Sequence, residues 1–213
     1  MSVTISPAYL LDAATGEPQA AEVWDAITER QLADFESDWK FALATAIKRL
    51  RLAGIERRNW PQTQSSHWDW RHKVDAFNGL LAKPSFSVMC QGRTQGLMIV
   101  DSLGRCKLET QKAKPLIYID YLENAPWNRK ELDCDQARIT GVGQLLIRAA
   151  IELSINEGFA GRIGLHSLPQ SNSFYAKTCG MTDLGVDSSK EGLKYFETTP
   201  EQSNAFIAKG ESL

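Results

Sequence analysis

Between Ala137 and Ser154 the sequence reads ARITGVGQLLIRAAIELS, and this stretch sets the strictest local condition on the fold. Val142, Leu145, Leu146, Ala149 and Leu153 recur at the spacing of one apolar helix face. Gly141 and Gly143 stand at its start, and Arg138 lies three residues before the first glycine. A helix N-terminus presents unpaired N–H groups and a partial positive charge, and residues without a β-carbon let an anion come close to them. Strand, loop, R-x-x-G-x-G and helix therefore make a phosphate cradle, to which Arg138 adds a charge-assisted contact. The same glycines also serve as plain tight-turn residues, and both readings stand at this point. With no Gly-Lys-Ser/Thr ending the P-loop is excluded. A missing third glycine and a long loop after the preceding strand weaken a dinucleotide-binding reading.

The flanking sequence alternates strands and helices. Val3 to Ile5 reads as a short strand followed by turn chemistry in DAATGE. Phe35, Trp39, Leu43, Ala46, Ile47 and Leu50 predict a helix over Asp34 to Ala53, with Asp34 as N-cap and Gly54 closing it. A loop containing Pro61 leads to a short helix over Trp70 to Leu81, ended by Pro84. Phe86 to Cys90 and Gly96 to Asp101 form a hairpin about a glycine-containing turn. The run PLIYIDYL, Pro115 to Leu122, is apolar nearly throughout and reads as a strand buried on both faces. A polar loop, Glu123 to Arg138, delivers the chain to the glycines. Beyond Gly158 come a strand at Ile163 to Ser167, a proline-started helix closed by Gly180, and two final strands in MTDLG and GLKYFET. Neither repeats nor a linker interrupt this order, so one mixed α+β domain over residues 1–213 is expected.

Bulk composition narrows the classes. The chain is 43% hydrophobic and 23% charged with a formal net charge of −2, so no polybasic face for nucleic acid is expected. No apolar run approaches the ~20 residues that cross a bilayer, and the N-terminal MSVTISPAYLLDAATGEP lacks the pattern of a secretory signal. Cys90, Cys106, Cys134 and Cys179 are widely spaced, which points to buried free thiols in a reducing cytoplasm rather than disulfides or zinc. His67 and His72 have no third ligand nearby, so no metal is expected.

Together, QARITGVGQLL and FYAKTCGM resemble the GNAT superfamily of acyl-CoA-dependent N-acyltransferases. Arg138, Gly141 and Gly143 supply that family's Q/R-x-x-G-x-G/A signature; YIDYLENAPWN fits the strand before it, and GLHSLPQSNSFY the strand and helix after it. The likeness covers roughly Phe86 to Phe196 and extends, through HWDW and LKYFE, to a bacterial GNAT-like subgroup. It implies a GNAT fold: a central, mostly antiparallel sheet with one splayed parallel pair and helices on both faces. Residues 1–84 would form the acceptor side and 85–200 the acyl-CoA core. It also implies acetyl-CoA as co-substrate and an amine on a small molecule or peptide as acceptor, without metal, nucleic acid or membrane. A homodimer is common for such folds. By the resemblance, the coenzyme A pyrophosphate would rest on the backbone N–H groups of Arg138, Ile139, Thr140, Gly141, Val142 and Gly143. The pantetheine arm would lie along Leu122 and Glu123, like an added strand.

Acyl transfer to an amine requires a proton acceptor, a donor group for the developing oxyanion and a proton for the departing thiolate. Tyr175 matches the tyrosine of the family's Phe-Tyr helix and is the candidate acid; packing against Phe174 is its alternative role. Asp120, Glu123 and His166 are candidate bases, each with a structural alternative, and a water-mediated route needs none of them. His67, Trp68, Asp69 and Trp70 offer aromatic walls and a carboxylate for a cationic acceptor, or a helix entry capped by Asp69. The sequence departs from the family pattern twice. The asparagine that touches coenzyme A falls on Leu168, with Ser171 and Asn172 as displaced candidates, and the segment from Tyr175 to Gly180 is one residue longer than usual. A non-catalytic acyl-CoA-binding module and a nucleotide-binding α/β domain remain as competing readings.

Overall fold

The structure, a computed structural model, describes residues 3–56, 65, 67–129, 132 and 138–210. The loop expected about Pro61, the free-thiol expectation for Cys134 and part of the polar stretch before Arg138 (residues 130–131 and 133–137) lie outside the described residues. The chain divides into two compact units, one built from residues 1–79, 85–97 and 122–143, the other from 80–84, 98–121 and 144–213.

In the first unit, β1 (Ile5–Asp12) and β2 (Pro18–Trp24) pair antiparallel, Ile5 opposite Trp24 and Leu11 opposite Pro18. Asp12 builds the turn between them: its Oδ1 accepts from the N–H groups of Ala14 and Thr15 at 2.8 and 3.1 Å. β1 thus runs well beyond the Val3–Ile5 strand expected, and β2 is additional, because PQAAEVW carries little apolar alternation. Helix α1 (Glu29–Asp34), a π turn (Phe35–Trp39) and α2 (Lys40–Leu52) follow without a break. The helix therefore starts earlier than predicted, at a Thr28 whose N–H donates to Gln31 Oε1 at 2.8 Å. Asp34 is not the cap. Its Oδ2 accepts from Thr94 N–H (2.9 Å) and Thr94 Oγ1 (2.7 Å), fixing the helix to the sheet. Helix α3 (Trp70–Phe77) is capped by Asp69, which accepts from His72 N–H at 3.0 Å. It stops short of Leu81, at Asn78 and Gly79 rather than at Pro84.

β3 (Ser85–Cys90) and β4 (Arg93–Arg105) are joined by Gln91 and Gly92, both at positive φ, the two-residue turn whose twist suits a hairpin. β5 (Pro115–Asn124) ends in this unit, and β6 (Ile139–Thr140) pairs with β1, Leu11 opposite Thr140. Trp39, Trp70, Val88 and Leu97 are fully buried and form the centre of its core.

The second unit holds the rest of β4 and β5, most of α4 (Val142–Asn156), β7 (Ile163–Ser167), β8 (Thr182–Asp187), β9 (Leu193–Glu197) and α5 (Pro200–Gly210). β5 and β7 run parallel in the register Ile117↔Ile163, Tyr118↔Gly164 and Ile119↔Leu165. That register ends at Ile119, although both strands continue. β9 pairs antiparallel with β7 and with β8. Leu116, Ile117, Leu146, Ile147, Ile151, Ile163 and Phe196 are fully buried. Only the first half of β5 is buried on both faces; from Asp120 onward it is half-buried. The proline-started helix resolves into a 3₁₀ turn (Pro169–Ser171) and a π turn (Phe174–Thr178), in which Cys179 N–H donates to Phe174 O at 3.0 Å. A π turn accommodates one extra residue, which is how the lengthened Tyr175–Gly180 segment fits.

Among the described residues, nine strands form one mixed sheet, ordered β6-β1-β2-β3-β4-β5-β7-β9-β8. β4 and β5 approach closely at Gly104, where a β-carbon would lie 2.6 Å from Leu116 Cδ1 and 3.0 Å from the Leu116 carbonyl oxygen. Backbone on one side gives no relief. Gly104→Ala is expected to lower stability by about 1–3 kcal/mol through overpacking, read as a lower midpoint in urea denaturation.

Candidate functional site

The first unit contains the glycine turn. Thr140 still belongs to β6, and Val142 is the first helical residue, so Gly141 alone changes the backbone from extended to helical. It does so at φ +93°, with Leu10 Cδ2 only 3.3 Å from where a β-carbon would sit. Val142 and Gly143 are buried, Gly141 is half-buried and Arg138 is exposed. The N–H groups of Val142, Gly143 and Gln144 open the helix and have no carbonyl one turn back within it. Ile139 differs: its N–H donates to Asn128 Oδ1 at 3.1 Å. Thr140 Oγ1 donates to Leu11 O at 3.4 Å, and the Arg138 carbonyl accepts from Ala13 N–H at 3.0 Å.

The same unit brings together two residues that the sequence offered separately. Trp70 Nε1 donates to Glu123 Oε2 at 2.7 Å, and Arg129 Nη1 stands 3.6 Å from Glu123 Oε1. Burial pushes the Glu123 carboxyl upward, against the pull of the Trp70 bond and the Arg129 charge. Trp70 is wholly buried, so it is no open wall. Asp69 caps α3 and bridges Lys40 at 3.1 Å. Trp68 is half-buried beneath Lys73, whose Nζ lies 5.0 Å from the ring centroid, and His67 is exposed. Leu122 is half-buried near the end of β5.

In the second unit, Asp120 is held by Lys83 at 2.8 Å, and the same ammonium bridges Asp101 at 2.8 Å. Burial raises the Asp120 carboxyl above its usual range, although Lys83 opposes it. His166 sits one residue past the last parallel pair. Its side chain is 5% exposed and bridges two groups: Nδ1 meets the Tyr118 hydroxyl at 2.6 Å, and Nε2 meets Asp187 Oδ2 at 3.0 Å. Asp187 also takes Lys107 Nζ at 2.6 Å and the Ser189 hydroxyl at 2.6 Å, and these donors with His166 hold it far below the carboxylate range. An ionised Asp187 only accepts, so the imidazole is the tautomer protonated at Nε2, and Tyr118 donates to Nδ1. Burial pushes the Tyr118 phenol up to about 12.

Tyr175 packs against Phe174 and Phe196, with centroids 5.1 and 5.9 Å away. Burial raises its phenol above the ordinary value, and its hydroxyl has no hydrogen-bond partner among the described residues. Ser171 and Asn172 follow β7, and Asn172 Oδ1 is buried with no partner. A buried carbonyl oxygen without a donor is costly, and an amide N–H from a ligand would relieve it. Sequence reasoning missed Lys83, Tyr118, Asp187, Gln95 and Asn128. Of these, only Gln95 carried a signal, as a polar residue entering an apolar strand. Among the described residues no cluster of His, Cys, Asp or Glu could hold a metal ion, and no helix is long and apolar enough to cross a membrane.

No family model and no curated protein matches the sequence. Solved structures do resemble the fold. Mycobacterium smegmatis RimJ in complex with CoA-disulfide is 14% identical and matches 97% of this chain and 95% of its own, with a TM-score of 0.50. The GNAT domain of S. lividans PAT is 13% identical over 91% of this chain and 96% of its own, at 0.51. An uncharacterised Bacillus halodurans protein is 9% identical over 97% of each chain, at 0.52. The chain therefore has a GNAT-like fold.

Electrostatics at His166 set a pH dependence. Burial lowers its pKa below 6.5, with Lys107 assisting and Asp187 opposing. The unfolded chain thus takes up a proton first as pH falls, and stability drops through about pH 6.5 toward the lower folded value. Asp120 and Glu123, whose values are raised, act in the opposite sense at lower pH. The urea midpoint of the wild type is expected to fall between pH 7.5 and 6, and His166→Gln should flatten that slope.

Proposed function

We propose that the protein is an N-acyltransferase that moves an acetyl group from acetyl-CoA to an amine on a small molecule or peptide. In this reading it acts as one domain, with residues 1–84 serving the acceptor and 85–200 the acyl-CoA. The observation that carries the reading is the turn at Gly141. It opens a fifteen-residue helix whose first-turn amides have no carbonyl one turn back within it, in a chain whose fold is that of proteins such as the CoA-bound RimJ. Gly141, Val142 and Gly143 receive the pyrophosphate and Arg138 adds charge; Ile139 contributes position rather than a free N–H, and Thr140 continues the edge. Leu122 and Glu123 offer backbone to the pantetheine arm, and Ser171 and Asn172 offer polar groups to the cofactor. Tyr175 protonates the departing thiolate. Asp120 and His166 are the proton acceptors, directly or through water. His67 and Trp68 serve the acceptor side, supported by Asp69 as the cap of α3 and by the buried Trp70. The reaction takes place in the cytoplasm and involves neither metal nor nucleic acid.

A second reading, an acyl-CoA-binding module without turnover, is favoured by one fact: Asp120, Glu123 and His166 are each engaged with protein partners. Thiol release from acetyl-CoA across an amine panel separates the two. Release with at least one amine supports the enzyme; tight binding without release supports the module. Calorimetry should show acetyl-CoA binding in preference to NAD and ATP, and binding of the nucleotides alone would end both readings.

Gly143→Asp places a carboxylate where the phosphates sit, so coenzyme A affinity is expected to fall by about two orders of magnitude with the melting temperature little changed. Tyr175→Phe is expected to lower turnover about a hundred-fold while cofactor affinity stays within about two-fold. Unchanged turnover removes Tyr175 from the chemistry.

A further inference from the structure

The cradle is entered through the two residues of β6, Ile139 and Thr140. What fixes its geometry lies elsewhere in the first unit. Gln95, 3% exposed in β4, accepts through Oε1 from Trp127 Nε1 at 3.0 Å and from Asn128 Nδ2 at 2.8 Å. Its own Nε2 donates to the Cys90 carbonyl at 3.1 Å, and its backbone carbonyl accepts from Ala125 N–H at 2.9 Å. Every polar group of the Gln95 side chain is thus committed, and it can sit in only one orientation. Asn128 is held twice by this arrangement: its backbone N–H donates to Ala125 O at 2.9 Å, and its Nδ2 is turned toward Gln95. That leaves Oδ1 facing away from Gln95, where it accepts from Ile139 N–H at 3.1 Å.

We propose that Asn128, oriented by Gln95, is the positioning residue that fixes the amides at the start of α4 for a pyrophosphate ligand. It ties residue 128 to residue 139 across the intervening segment. Ile139 is buried at 2% exposure, and its backbone passes through Thr140 to Gly141, so a shift there moves the amides directly. Across the strand, the β1 ladder and the Ala13–Arg138 bond hold the other edge. The asparagine amide is suited to the task because it offers an acceptor to Ile139 and a donor to Gln95 at once. Neither Asn128 nor Gln95 touches the phosphates in this scheme; their effect passes through the backbone.

This inference rests on the acyl-CoA reading, and one experiment distinguishes the two. Calorimetry with coenzyme A is run on the wild type, Asn128→Ala, Gln95→Glu and a control, Ser87→Ala, which deletes a buried side-chain bond to Ala26 O in the same unit. Asn128→Ala is expected to weaken coenzyme A about ten-fold or more, with the Gly141 and Gly143 amide resonances shifted even without ligand. Gln95→Glu keeps the acceptor for Asn128 but sets a carboxylate oxygen against the Cys90 carbonyl, so it is expected to lower the melting temperature and to weaken coenzyme A less than Asn128→Ala does. Ser87→Ala is expected to lower the melting temperature while leaving affinity within about two-fold of wild type. Wild-type affinity in Asn128→Ala, or an equal loss in Ser87→Ala, overturns the positioning role alone. Failure of the wild type to bind coenzyme A overturns the functional reading and this inference with it.

Discussion

One residue separates two incompatible backbone requirements. Through Thr140 the chain is extended, because β6 is hydrogen-bonded to β1; from Val142 it is helical, because α4 begins. The change is made at Gly141 at φ +93°, against the Leu10 side chain. A β-carbon there is disfavoured by conformation and by space together. The first glycine of the pair is therefore a folding requirement. The helix-opening amides of Val142, Gly143 and Gln144 follow from that turn.

A comparable economy governs β5. Its first half is buried and apolar, as a parallel strand must be when both faces are covered. The parallel register with β7 ends at Ile119 and Leu165, and the next residue on each strand is ionisable. Asp120 and His166 could not remain inside a closed ladder without partners. Each instead has a complete set: Lys83 with Asp101 for one, Tyr118 with Asp187 for the other. The change from apolar to polar in PLIYIDYL thus coincides with the place where strand pairing stops.

The sequence made the local part of this legible. The α4 stripe, the β5 and β7 strands, the Asp69 cap and the Gly54 helix end all follow from periodicity or from single-residue chemistry. β2 was not legible, because its pattern is diluted by alanine and glutamine. α5 escaped notice although Thr199 and Gln202 spell a capping box, with Thr199 N–H donating to Gln202 Oε1 at 2.9 Å. Asp34 looked like a cap because it precedes an apolar helical run; its real partner, Thr94, lies sixty residues away. Separations of 33 and 37 residues likewise hid Gln95 from Asn128 and Lys83 from Asp120. Periodicity reports neighbours along the chain, whereas polar groups in a core choose partners by space, and nothing in spacing alone records that choice.

The partners also reorder the chemistry among the candidates. Asp120 already has a lysine against it, so taking a proton from an incoming ammonium means giving up an ion pair. His166 has its acceptor nitrogen occupied by the Tyr118 hydroxyl, so a proton reaches the imidazole most directly through that phenol, which can accept one proton as it hands over its own. Glu123 has Trp70 and Arg129 beside it, and its raised pKa comes from burial. Tyr175 alone among the titratable candidates has a hydroxyl with no partner among the described residues. A hydroxyl in that state meets an incoming acceptor without displacing a protein group. Asp120, Glu123 and His166 would each have to exchange a protein partner to act on a proton, whereas the Tyr175 hydroxyl has none to exchange among the described residues.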